Sequence, residues 1–298
     1  MSGRRPGRGD PNRGNRKGSK SRRPQSERGS TPKRADGDRR GSQPTQPRGG
    51  GRKGLGGDHV EGRHAVRELL LAGRRPVREI LLATGLDAAA ILDDIVDLAD
   101  ETRTPIREIG RSKFDVEART EGSQGIIARA APIDEVELDE VLSPPPGIVP
   151  FLLALDGVTD PGNVGALLRT AECAGVTGVV FPRHRAAHIT PTVTKTAQGA
   201  IEHLPMTIVG GLPAALSQMV SAGIWTVGLD GAADQNLFDL DLGGEPVCLV
   251  VGAEGKGLSR LVRERVDVAA ALPLRGVVGS LNVSAAGAIA MYEVSRHR

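Results

Sequence analysis

The stretch FLLALDGVTDPGNVGALLRT, residues 151–170, decides the fold. Phe151 to Leu155 is an apolar run that reads as a buried strand, and Asp156 and Gly157 end it. Asp160 has the right side chain to cap a helix, and Pro161 suits the first helical position. Val164, Leu167, Leu168, Ala171 and Ala174 then recur at helical spacing as a buried stripe. A buried strand, a polar turn and an amphipathic helix form the repeating unit of a parallel α/β sheet. Ligands bind at the carboxyl ends of the strands in such sheets, which is where Asn163 falls. Arg169 lies six residues on, about 120° around the helix at 100° per residue. Each also has a simpler reading: Asn163 as a local cap, Arg169 as a solvated charge.

The same alternation continues outward. Further strands are expected at 178–181, 225–229, 247–251 and 269–272. Helices are expected at 161–174, 192–203, 213–222, 259–265 and 283–296. The strand runs are apolar throughout, as in a sheet covered on both faces. Two more polar clusters sit where strands end. Residues 249–258, LVVGAEGKGL, run a buried strand into a glycine turn that carries Glu254 and Lys256. This is not a phosphate loop: a Walker motif needs Gly five residues before Gly-Lys, and Val250 stands there. Glu254 could equally be a plain turn carboxylate. Residues 272–284, LPLRGVVGSLNVS, place a loop before the last helix, which either Ser280 or Asn282 could cap. Ala285, Gly287 and Ala288 keep that helix slim enough for close packing on another element, a second subunit included.

Upstream, a smaller α/β layer is expected from about Asp58: helix 62–71, strand 79–83, helix 87–99, strand 105–109, helix 112–119 and strand 125–129. Pro144, Pro145, Pro146 and Gly147 give the clearest linker signal. The expected division is therefore a basic arm over 1–57, a small domain over 58–133, a linker over 134–148 and a second domain over 149–298. Residues 1–57 hold 17 Lys and Arg against 4 Asp and Glu, a net of +13, so the remaining 241 residues carry a net of −10. The arm has only Met1, Ala35 and Leu55 as aliphatic residues and no aromatic one. It cannot bury enough apolar surface to order itself. It reads as a non-specific RNA tether acting through counterion release, or as a solubilising extension.

Composition narrows the function further. Aromatics are 2% of the 298 residues, which argues against a surface that stacks several bases. The two cysteines, Cys173 and Cys248, build neither a disulfide framework nor a zinc site; both read as small buried residues in a reducing, cytoplasmic protein. The longest apolar run, 148–155, is far too short to span a membrane. His184 and His188 have a ligand-like spacing but no acidic third partner, so a basic loop is the better reading. Lys195 could meet a phosphate or simply be solvated. No G-x-S-x-G elbow or dinucleotide fingerprint is present.

Taken together, the three clusters resemble the SpoU/TrmH family of RNA ribose 2′-O-methyltransferases. That family carries an Asn with an Arg six residues on (Asn163, Arg169), then N/G-x-E-G (Gly252 to Gly255), then S-x-N before the last helix (Ser280 to Asn282). Residues 60–66, VEGRHAV, and 124–128, QGIIA, resemble the family's small substrate-binding domain, which is similar to ribosomal protein L30e. The resemblance covers residues 58–298 and implies a trefoil-knotted catalytic domain that binds S-adenosylmethionine without a metal. Gly252, Leu272 and Leu281 would line the cofactor site. Asn163, Arg169, Glu254, Ser280 and Asn282 would form the catalytic group. It also implies a homodimer and an RNA substrate, with the nearest likeness to members acting on a guanosine of 23S rRNA; the alternatives are tRNA, or a non-catalytic RNA assembly factor. Arg169 is the family's proposed base, yet a guanidinium stays protonated. A charge that stabilises the developing alkoxide suits it better, with Glu254, Ser280 and Asn282 expected to fix Arg169 by hydrogen bonds.

Overall fold

The structure is a computed structural model that describes residues 54–184 and 189–298. Most of the arm, residues 1–53, and His188 lie outside the described residues.

The first body is β1 (His59–Glu61), α1 (Arg63–Ala72), β2 (Val77–Ala83), α2 (Ala90–Glu101), β3 (Ile106–Ile109), α3 (Arg111–Glu117) and β4 (Ile126–Ala130). Its sheet has the order β1-β4-β2-β3. β4 pairs antiparallel with β1 and β2, while β2 and β3 run parallel. Val66, Leu69, Ile80, Ile95 and Ile126 fill the space between the sheet and the helices.

α4 (Leu138–Leu142) leads to the second body: β5 (Phe151–Asp156), α5 (Pro161–Cys173), β6 (Gly178–Pro182), α6 (Pro191–Ala197), β7 (Met206–Val209), α7 (Leu212–Ser221), β8 (Trp225–Leu229), β9 (Gln235–Asn236), β10 (Val247–Gly252), α8 (Arg260–Arg263), β11 (Val268–Ala271) and α9 (Val283–Ser295). Seven strands form a sheet in the order β7-β6-β5-β10-β8-β11-β9, and every pairing is parallel. Side chains alternate between its faces. Phe151, Leu153, Leu155, Leu249 and Val251 join one core with residues of α5 and α9. Leu152, Ala154, Cys248 and Val250 join the other with residues of α7. Each fully buried Leu or Val contributes on the order of 1.5–3 kcal/mol. Burial pushes the Cys248 thiol up to about 12, so it stays protonated at neutral pH.

Several expectations need correction. The helix expected over 192–203 stops at Ala197; Gln198 and Gly199 take left-handed φ values of 50° and 92°, and a 3-10 turn follows at 200–202. Gly199 is required there, because a Cβ would lie 2.2 Å from the Cβ of Glu68 on α1. β7 and β9 had no counterpart in the sequence reading; both are short edge strands. Cys173 is exposed at the end of α5. The helix expected over 259–265 shortens to α8.

Order also begins earlier than expected. Leu55 is buried, and its N–H donates to the Ile133 carbonyl while its own carbonyl accepts from Ile189. The proline-rich connection is partly built in: Val141 and Leu142 pack with Leu152 and Val180, and the Val136 N–H donates to Met206. The two bodies are joined by a buried ion pair, Arg75–Glu202, with side chains 4% and 2% exposed. Arg75 donates Nε and Nη2 to the Glu202 carboxylate at 2.9 and 2.6 Å. Its Nη1 donates to the carbonyls of Gly57 and Ala131 at 2.7 and 2.5 Å. Lys195, on α6, donates to the Glu121 carbonyl of the first body.

Candidate active site

Because all strands of the second sheet run parallel, β5, β8, β10 and β11 end at the same edge, and the three polar clusters meet there. Asp156 closes β5 opposite Gly252 of β10, and its carboxylate accepts from the Ser259 N–H at 2.5 Å. Asp160 caps α5, accepting from the Asn163 N–H at 2.7 Å, with Pro161 in the first turn as expected.

After β10 the chain makes a closed turn. Ala253 and Gly257 exchange both backbone hydrogen bonds, at 3.0 and 2.8 Å. Gly252 lies against the back of this turn: a Cβ there would lie 2.2 Å from the Gly257 carbonyl carbon and 2.5 Å from the Leu258 nitrogen. Both obstacles are backbone, so neither can swing aside. Gly252→Ala is therefore expected to displace the turn, with loss of ligand binding in the cleft that the turn lines, read by calorimetry. Native-like binding in that variant would show that the turn tolerates the shift.

Glu254, at the tip of the turn, accepts from Asn163 Nδ2 at 3.1 Å. Asn163 Oδ1 accepts from Asn282 Nδ2 at 3.0 Å. Asn282 caps α9, its Oδ1 accepting from the Ser284 N–H at 2.9 Å and the Ser284 hydroxyl at 2.6 Å. These bonds fix every amide orientation. A backbone N–H can only donate, so the Asn282 atom it meets is oxygen. The Asn282 nitrogen then faces the Asn163 oxygen, which turns the Asn163 nitrogen toward the carboxylate. Residues 91 and 119 positions from Asn163 are thus locked to it.

Two clefts adjoin this chain of bonds. One, of about 440 Å³, is lined by Gly252, Glu254, Leu272, Ser280 and Leu281 together with Leu229, Asp230, Val251 and Arg263. The other, of about 730 Å³, is lined by Asn163, Glu254, Asp156, Asp160 and Lys256. Glu254 and its turn line both. Ser280 is exposed in the first cleft, while the capping role falls to Asn282. Arg169 behaves differently from expectation. It is exposed on α5, lines neither cleft, and among the described residues makes no hydrogen bond or ion pair; Glu254 and Asn282 hold Asn163 instead. Sequence reasoning missed Leu229, Asp230 and Arg263. The only signal for Leu229 and Asp230 was that β8 also ends at this edge, and Arg263, on α8, had none.

The smaller cleft fits an adenosine-bearing cofactor. Its volume is in the range of ligand sites. Leu229, Leu272 and Leu281 offer apolar surface for a flat ring, and glycine-rich loops leave backbone groups accessible. Among the described residues no cluster of three His, Cys, Asp or Glu could hold a metal ion, and no helix is long and apolar enough to cross a membrane.

A parallel α/β sheet with a ligand-sized cleft at its carboxyl edge, preceded by a small mixed-sheet body, defines a two-part α/β protein that binds its ligand at the strand ends. Comparison with known proteins makes this particular. A profile described as the SpoU rRNA Methylase family matches residues 150–292. One described as RNA 2′-O ribose methyltransferase substrate binding matches residues 59–136. The chain is 43% identical over 245 residues to the 23S rRNA (guanosine-2′-O-)-methyltransferase RlmB of Pseudomonas aeruginosa, covering 81% of this chain and 97% of that protein. It is 38% identical over 243 residues to YacO of Bacillus subtilis, a putative TrmH family tRNA/rRNA methyltransferase, covering 81% and 96%. The SpoU methyltransferase AviRb of Streptomyces viridochromogenes, solved in complex with AdoMet, superposes with a TM-score of 0.65 at 25% identity, over 80% of this chain and 89% of that one. A putative TrmH-family RNA methyltransferase from Porphyromonas gingivalis gives 0.64 at 29% identity, over 80% and 90%. The chain belongs to the SpoU rRNA methylase family.

Proposed function

We propose that this chain methylates the ribose 2′-oxygen of a guanosine in 23S rRNA, as the name of its Pseudomonas aeruginosa relative states for that protein. It is an RNA ribose 2′-O-methyltransferase that uses S-adenosylmethionine. The observation that carries the assignment is the Glu254–Asn163–Asn282 chain, which joins three distant motifs beside the cofactor-sized cleft.

S-adenosylmethionine supplies a methyl group on a positively charged sulfur, already activated for displacement. What remains for the protein is to hold the acceptor oxygen in line and to favour its deprotonated form. Positioning alone can supply several kcal/mol of the barrier. Asn163 has one N–H and one lone pair left after its two side-chain bonds, enough to orient a ribose hydroxyl. Glu254 and Asn282 hold that amide in place. Arg169, exposed on α5 outside both clefts, supplies positive charge to the docked RNA phosphate and, through it, beside the 2′-oxygen as negative charge develops there. Gly252, Leu272 and Leu281 line the cofactor cleft, with Ser280 at its polar side.

The finer architecture belongs to the same reading. Residues 58–133 form the L30e-like RNA-binding module and residues 149–298 the catalytic module, whose C-terminal loops thread as a trefoil knot. Supporting this, β10 lies between β5 and β8, and α9 returns to pack Gly287 against Leu167 of α5. The protein acts in the cytoplasm as a homodimer; the exposed Ile289 and Tyr292 on α9 are the surface a second copy would cover.

Substrate choice is tested with methyl-labelled S-adenosylmethionine and, separately, unmodified 23S rRNA and bulk tRNA. Label in 23S rRNA alone is expected. Label in tRNA alone would overturn the substrate assignment, and no cofactor binding at all would favour a non-catalytic RNA assembly factor. The arm has its own test. Deleting residues 1–53 leaves a chain of net charge −10. RNA binding should weaken, and the slope of log K against log salt should flatten by about 0.7–0.9 for each phosphate that the arm had neutralised. An unchanged slope would make the arm a bystander.

A further inference from the structure

The smaller cleft has an ionisable wall that the three motifs do not account for. Asp230 follows β8, and its N–H donates to the Ala270 carbonyl at 3.0 Å, tying it to β11. One carboxylate oxygen accepts from the Ala232 N–H at 2.9 Å. The other meets Arg263 Nη1 at 2.5 Å, and the Asp230 side chain is only 12% exposed. Asp230 and Arg263 both line the cleft.

We propose that Asp230 binds the ribose diol of the adenosine half of the cofactor. The proposal rests on the cofactor reading above and adds to it a residue that discriminates by ligand chemistry. A vicinal diol presents two hydroxyl donors side by side and is best met by two acceptor oxygens on one rigid group. Among the side chains lining the cleft, acceptor oxygens are carried by Asp230, Glu254 and Ser280. Ser280 has a single oxygen. Glu254 is bonded to Asn163 and shared with the neighbouring cleft. Asp230 alone offers a carboxylate held within the wall. After Ala232 and Arg263 each of its oxygens keeps a lone pair. Hydrogen bonds to a charged acceptor are the strong kind. In dinucleotide-binding parallel sheets, of another fold family, an acidic side chain takes the ribose hydroxyl in the same chemical way. Leu229, the residue before Asp230, adds apolar surface beside it for the base.

The test is calorimetry on the full chain with S-adenosylhomocysteine and its 2′,3′-dideoxy analogue. The native protein should prefer the parent by at least about tenfold, the effect of one hydrogen bond to a charged group. Asp230→Asn keeps an oxygen for the Ala232 N–H, so the turn survives. It should bind the parent at least about tenfold more weakly and the dideoxy analogue within about twofold of native, again on the scale of that bond. Arg263→Met should retain the preference for the parent. Equal binding of the two ligands by the native chain overturns the proposal without any variant. So does an equal loss for both ligands in Asp230→Asn, which would mark a merely structural role. A native chain that binds neither ligand overturns the cofactor reading itself and this proposal with it.

Discussion

Asn163→Ala should bind S-adenosylhomocysteine like the native protein and yet lose methyl transfer by about 10²–10³-fold, the usual effect of removing one preorganised hydrogen-bonding group from a reacting centre. The split follows from geometry. Asn163 does not line the smaller cleft, where the cofactor is proposed to bind. It holds Glu254 through its amide nitrogen and Asn282 through its oxygen. Truncation therefore releases both neighbours while leaving the glycine turn and the apolar wall intact. Asp160 still caps α5, since its bond is to the backbone N–H of residue 163. Single-turnover kinetics beside calorimetry separates the two quantities. Turnover within a few-fold of native would show that Asn163 is only the cap that its first-turn position suggests.

The second large effect is on stability. Arg75→Met should destabilise the fold by about 3–5 kcal/mol, because it leaves the Glu202 carboxylate buried without a partner. For a body of this size that lowers Tm by roughly 10 °C. Glu202 is 2% exposed, and both of its oxygens are held by Arg75. Arg75 also ties down the carbonyls of Gly57 and Ala131, so its loss strands two further acceptors. Replacing both members, Arg75→Met with Glu202→Leu, should recover part of the loss, since the desolvated charge is then gone. Denaturant unfolding measures each value. A loss below about 1 kcal/mol, the scale of an exposed pair, would mean that water reaches the pair in solution.

How much of this was legible in the sequence follows from which physical signals are local. The strand and capped helix of residues 151–173 were readable because apolar runs, Asp160 and Pro161 each act within a few residues. The motif residues were readable as motifs, but their pairing was not. Nothing local says that Asn163 binds Glu254 and Asn282 while Arg169 stays apart on the solvent side of α5. The break at Gln198 and Gly199 was hidden for the same reason: its cause is the approach of Glu68, more than a hundred residues away. Leu55 looked like one isolated aliphatic in a basic arm, and only Ile133 and Ile189 make it part of the core. Asp230 carried no motif at all; it becomes notable once β8 is seen to end beside β10 and β11.

The central claim is that the edge formed by β5, β8, β10 and β11 transfers a methyl group to a ribose oxygen. The direct measurement is the position of the methyl group in RNA labelled by the full chain, because a methyl on the 2′-oxygen blocks alkaline cleavage of the adjacent phosphodiester. The account predicts one alkali-resistant linkage next to a guanosine, present with the native chain and absent with Arg169→Ala at unchanged cofactor affinity. Label on a base, with every linkage still cleaved by alkali, would contradict it.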